Sequence, residues 1–154
     1  MFRKFHFFAL MFFGVVLAVD VSADTVQAGD ITIETAWARA SIGTMRPAAA
    51  YLTIKNSGKA SDVLLSIKTE VAGVAEVHKT TMTDGVSKMG PVGPLPINAG
   101  DTITFVPGGL HIMMMMLKKT LKKGETLPMT LIFEKAGQVN ITVPILNVGS
   151  SGPK

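Results

Sequence analysis

Turn signals break this sequence at short intervals, and no window of a dozen residues between them carries a helical period. Asn56-Ser57-Gly58-Lys59, Thr83-Asp84-Gly85, Pro107-Gly108-Gly109, Lys122-Lys123-Gly124-Glu125 and Ala136-Gly137 are the clearest of them. Gly, Asn and Asp tolerate the left-handed backbone that tight turns need, so each cluster ends one segment and starts another. The segments read as strands: 31–35, 49–55, 63–67, 74–80, 86–92, 102–106, 111–117, 127–134 and 138–145. Ile31-Thr32-Ile33-Glu34-Thr35 alternates apolar and polar residues, as a half-buried strand does. Asp84-Gly85 is a two-residue hairpin signal. Pro91, Pro94, Pro96 and Gly100 punctuate a loop before the strand at 102–106. Roughly eight or nine short strands joined in this way predict a single-domain, all-β, antiparallel sandwich with Greek-key crossings.

The first 23 residues stand apart from that pattern. Arg3 and Lys4 precede an apolar run from Phe5 to Val19, which only His6 and Gly14 interrupt. Val21-Ser22-Ala23 follows. This is the order of a secretory signal peptide cut after Ala23. The apolar run is about fifteen residues long, short of the ~20 that a spanning helix needs. The prediction is export to the periplasm with no membrane insertion after cleavage. An uncleaved anchor is the competing reading, and Asp20 beside the cut speaks for it. No cysteine follows the apolar run, so no lipid-bearing cysteine is expected there. The folded domain is then predicted over 24–146, with a small, polar, loose tail over 147–154. Setting aside Arg3, Lys4 and Asp20 lowers the net charge from +4 to about +3. So mild a basic excess, without interleaved aromatic residues, gives no argument for nucleic acid. With no cysteine in the chain there is no disulfide framework either.

Only two histidines lie beyond the predicted cut, and both belong to one pattern. His78 is followed after ten residues by Met89, and Met89 after twenty-one residues by His111-Ile112-Met113. Two imidazoles and two thioethers predict a soft-metal site, and the ion they suit is one Cu(I) per chain. Thioether sulfur is neutral and cannot be protonated in the accessible range. Such a site therefore leaves the ion its single positive charge. Alternation along a strand puts His111, Met113 and Met115 on one face, and Ile112, Met114 and Met116 on the other. Met115 is thus a rival to Met113 as the fourth ligand. Methionine also fills apolar cores, so at least two of Met113 to Met116 are expected inside. Met45, Met82 and Met129 read as packing or surface residues. A blue-copper centre needs a cysteine, which is absent. No nucleophile with a base and an orienting group is visible, so the chain is not expected to be an enzyme. Glu76 and Asp84 flank the motif without a catalytic role. Lys118, Lys119, Lys122 and Lys123 form a basic cluster, read either as a solvated turn or as a docking patch for an acidic acceptor.

With those residues in view, the sequence resembles the periplasmic Cu(I) chaperones of the PCuAC family. The signature of that family is matched by His78, Met89, His111 and Met113. Further likeness lies in Ala36-Trp37-Ala38-Arg39-Ala40, Ala49-Ala50-Tyr51-Leu52, Pro107-Gly108-Gly109 and Leu131 to Gly137. The resemblance implies a cupredoxin-like sandwich that holds Cu(I) at an exposed site, with Trp37 and Arg39 near it. It also implies copper supply to the binuclear copper centre of cytochrome c oxidase. The acceptor would be the copper-bearing subunit of that oxidase, with a Sco-type thiol protein alongside. Copper sequestration for tolerance, through the same site but without a dedicated acceptor, is the alternative. Some members carry a His- and Met-rich tail; residues 147–154 contain neither.

Overall fold

The computed structural model describes residues 25–153 of the chain; the predicted signal peptide lies outside them. Eleven strands follow in order: β1 (Val26–Ala28), β2 (Ile31–Arg39), β3 (Ala48–Asn56), β4 (Asp62–Lys68), β5 (Ala72–Thr83) and β6 (Val86–Pro91), then β7 (Leu95–Ile97), β8 (Thr102–Thr104), β9 (Leu110–Leu117), β10 (Thr126–Phe133) and β11 (Gln138–Leu146). Neighbouring strands run in the order β6-β5-β9-β3-β2-β11-β10-β4-β7, with β1 added on β2 and β8 on β3. The path folds into two layers. One layer holds β6, β5, β9, β3 and β2, and the other holds β10, β4 and β7. β11 passes between them. The non-sequential pairs β9–β3 and β10–β4 are the crossings that a Greek key requires.

The core lies between the layers and follows the period of two. In β10 the buried residues are Leu127, Met129, Leu131 and Phe133, and every alternate residue faces out. Ile54, Leu52 and Ala50 on β3 and Ile112 and Met114 on β9 close the core from the other layer. β11 keeps the alternation through Val143 and then buries Val143, Pro144 and Ile145 in succession. There β11 passes from one layer to the other: Pro144 still pairs with Thr126 of β10, while Ile145 already pairs with Ala38 of β2.

That transfer accounts for one departure from the expected all-antiparallel pairing. Ile145↔Ala38 and Leu146↔Arg39 form a short parallel ladder between β11 and β2. Turn residues report only on strands adjacent in sequence, and these two are separated by most of the domain. Two short strands also go beyond the sequence reading. β1 pairs with β2, and β7 occupies part of the stretch read as a loop. β7 tolerates Pro96 because it is the edge strand of its layer, where a missing N–H removes no shared ladder bond. The hairpin at Asp84-Gly85 forms as read. Thr83 pairs with Val86, and the two turn residues have φ of 51° and 76°.

Candidate metal centre

The site is a product of register. β5 pairs with β9 so that His78 stands opposite His111 and Glu76 opposite Met113. On its other side β5 pairs with β6 so that Thr80 stands opposite Met89. Glu76, His78 and Thr80 alternate onto one face, so Met89, His111 and Met113 share that face too. His78 is therefore central. His111 lies directly across from it, and Met113 and Met89 lie on opposite diagonals, each about 7–8 Å away between Cα atoms. Long side chains cover that span. The two imidazole centroids are 6.0 Å apart at 47°. That is the separation two rings need to share an ion, given a metal–nitrogen bond of about 2 Å on each side.

Both histidines are buried, at 8% and 7% exposure, whereas Met89 is 54% exposed and Met113 is half-buried. The site is thus closed on its imidazole side and open on the β6 side. Each ring is also held by a partner. The His111 Nδ1 lies 3.0 Å from the carbonyl oxygen of Gly109, which can only accept, so Nδ1 carries the proton and Nε2 is left with a lone pair. The same carbonyl accepts from the N–H of Thr80 at 3.2 Å, which ties the Pro107-Gly108-Gly109 turn to β5. The His78 Nε2 lies 2.9 Å from a carboxylate oxygen of Glu76, and its buried Nδ1 has no partner. A buried ring nitrogen without a partner, in a ring whose centroid is 6.0 Å from a second imidazole, suits a bound ion. Among the described residues, no three His, Asp or Glu side chains converge as a hard-metal site would require.

The methionine run divides differently from the alternation expected of it. Met114 is fully buried, and Met113 and Met115 are half-buried on the site face. Met116 is 67% exposed, so one methionine of the run is fully in the core, not two. Its φ of 53° turns the chain, and its side chain lies where a side chain on Gly73 would be, with Cε only 2.8 Å from that position. Met115 stands opposite Val74, four residues along β9 from His111, or about 13 Å. Met113 is half as far. Met82 shares the site face beyond Thr80 and is 69% exposed, Met45 is exposed in the β2–β3 loop, and Met129 is core.

Next to the site lies a second buried group on the same face. The register between β2 and β3 shifts past Glu34, where Thr35 has φ 49°. The shift puts Trp37 opposite Tyr51, on the face opposite to the core residues Ala38 and Ala50. Their rings stack at 4.3 Å, and Arg39 lies 5.6 Å over Tyr51. Burial raises the Tyr51 hydroxyl above its ordinary range, and Arg39 only partly offsets this. Arg39 also donates from Nε to the Ser150 carbonyl at 2.8 Å, which ties the tail across this patch. Lys118 lies at the far end of β9, seven residues or about 24 Å from His111. Sequence reasoning overlooked Glu76 as a partner of His78. The signal was present, because residues two apart on a strand share a face.

Known proteins resemble this chain in sequence and fold. The family model LpqE-like, described as "Putative lipoprotein LpqE-like", matches residues 31–145. The "Putative lipoprotein Lxx21020" of Leifsonia xyli subsp. xyli is 30% identical over 135 residues, covering 86% of this chain and 80% of that protein. Among solved structures, the apo PCuAC domain of PmoF2 superposes with a TM-score of 0.72 at 25% identity, covering 84% of this chain and all of that one. The solution structure of CuI-DR1885 from Deinococcus radiodurans superposes with a TM-score of 0.61 at 31% identity, covering 73% of this chain and 75% of that one.

Proposed function

This chain belongs to the LpqE-like family and has the cupredoxin-like fold of PCuAC domains, and we propose that it is a copper chaperone of the cell envelope. In this reading it binds one Cu(I) through His78, Met89, His111 and Met113. It releases the ion by ligand exchange to an acceptor in the periplasm, namely the binuclear copper centre of cytochrome c oxidase, with a Sco-type thiol protein as a second partner. It binds and passes on metal without catalysing a reaction. The observation that carries this reading is the placement of two buried imidazoles opposite each other, with thioethers on both diagonals of one sheet face. The copper(I) form of DR1885 and the envelope-associated name of the Leifsonia relative support it.

The donor set suits delivery. Four neutral ligands hold the ion without adding charge, and an incoming thiolate can displace them one at a time. Met89 is the most exposed of the four, so exchange begins there. Val86, Met82 and Val92 on and beside the same hairpin are also exposed, at 57%, 69% and 38%, and offer an apolar rim for an acceptor to rest on. A titration of the chain from Asp24 with Cu(I), against a chromophoric chelator under reducing conditions, should show one tightly held equivalent. Failure to compete would overturn the copper reading. Mixing the loaded protein with the apo copper domain of the oxidase then separates delivery from sequestration: transfer supports the chaperone, and retention supports storage.

A further inference from the structure

Four polar side chains are buried in this domain, and His78 carries the one buried side-chain polar atom without a hydrogen-bond partner among the described residues. The reason lies on the other side of its ring. Glu76, two residues earlier on β5 and on the same face, has Oε1 2.9 Å from Nε2. An ionised carboxylate can only accept, so the ring proton sits on Nε2. In the neutral imidazole the lone pair then belongs to Nδ1. That atom is shielded from water and from every protein donor.

We infer that Glu76 is the positioning residue of the site: it holds His78 as the Nε2–H tautomer, so that Nδ1 is the nitrogen offered to Cu(I). His111 is held the opposite way, with its proton on Nδ1 against the Gly109 carbonyl, and offers Nε2. The two imidazoles thus present different nitrogens. The inference rests on the copper reading for its metal half only, because the tautomer is a property of the metal-free protein. Glu76 itself does not reach the ion in this scheme. Its carboxylate is spent on Nε2, and it is exposed enough, at 43% of its side chain, to be replaced without opening the core.

The test uses the 15N-labelled chain from Asp24, free of metal, at a pH above the imidazole range. Long-range proton–nitrogen correlation spectra distinguish a protonated ring nitrogen from a bare one. The expected pattern is a bare Nδ1 in His78 and a bare Nε2 in His111. In Glu76→Ala the His78 pattern should lose its preference and average the two tautomers, with the backbone spectrum otherwise unchanged. Glu76→Gln, whose amide oxygen still accepts, should keep the wild-type pattern. Cu(I) affinity should fall about 10- to 100-fold in Glu76→Ala and much less in Glu76→Gln, as expected when a ligand loses its orienting partner. A bare Nε2 in wild-type His78, or an unchanged tautomer in Glu76→Ala, would overturn the inference. So would an altered tautomer without loss of affinity. If the wild type bound no Cu(I) yet showed the expected tautomers, the copper reading would fall, and the role of Glu76 would reduce to orienting the ring.

Discussion

Two pairs of buried polar residues sit in different parts of this sandwich, and they are treated in opposite ways. Asn56 and Asp62 lie where the two layers meet near Lys135. The Asn56 amide donates to the carbonyls of Ala60 and Ile97 and accepts from the Gly58 N–H. The Asp62 carboxylate accepts from the N–H groups of Val63, Lys135 and Ala136 at 2.7–2.9 Å. Every one of those contacts is supplied by the chain, and none is left for a ligand. His78 and His111 are buried too, but each keeps one ring nitrogen uncommitted within the chain. The lesson is that burial alone does not mark a functional residue. A buried polar group that is fully paired holds the fold, and one that is half-paired is prepared for something else.

Mutations should split along that line. Asp62→Ala strips three N–H groups of a charged acceptor and should destabilise the fold by about 3 kcal/mol, given 1.5–3 kcal/mol for bonds to charged groups and incomplete loss as water enters. Urea denaturation would measure it, and Cu(I) affinity should change by less than about threefold, because the site lies on other strands. His111→Ala should do the reverse. Cu(I) affinity should drop about 100-fold, or ~2.8 kcal/mol, while the urea midpoint falls much less than in Asp62→Ala, since the Gly109 carbonyl keeps its bond from the Thr80 N–H. If His111→Ala unfolded the protein, the distinction between the two pairs would collapse.

Acid should expose the same division. Burial pushes the Asp62 carboxyl up, but three backbone N–H bonds and the nearby Lys135 outweigh it and hold the group below its ordinary 3.8. A depressed carboxylate stabilises the fold fully above its unfolded value, and that contribution is lost as the pH falls through the folded one. Stability curves of wild type and Asp62→Asn should therefore run apart above 3.8 and converge below it. Parallel curves across that range would remove Asp62 from the account. The smallest effect concerns the methionines. Met113→Leu should weaken Cu(I) binding about tenfold, ~1.4 kcal/mol, and Met115→Leu by less than about threefold. The reverse order would mean that the site extends further down β9 than the register suggests.

Several of these features were legible in advance because they are local. Asp84-Gly85 specified its hairpin through two residues that accept positive φ. Alternation in β10 specified which side chains enter the core. The spacing of His78, Met89, His111 and Met113 singled out four residues that the register brings onto one sheet face. Alternation failed where the backbone departed from plain extension. Met116 left the face assigned to it because of its positive φ, and Trp37 changed face at the Thr35 bulge. Neither position carries a glycine or proline that would have announced the change.

What the sequence determined by itself is the class of the fold and the kinds of donor that the candidate site offers, because strand period and side-chain chemistry are properties of single residues and their near neighbours. Tertiary structure decided the rest. It set His78 opposite His111 rather than one residue to either side, joined β11 to β2 in parallel, and left one nitrogen of His78 without a partner. Each of these depends on register between strands that are distant along the chain. Register is fixed by the packing of the whole core, since a slip of one residue would turn every buried side chain of a strand outward.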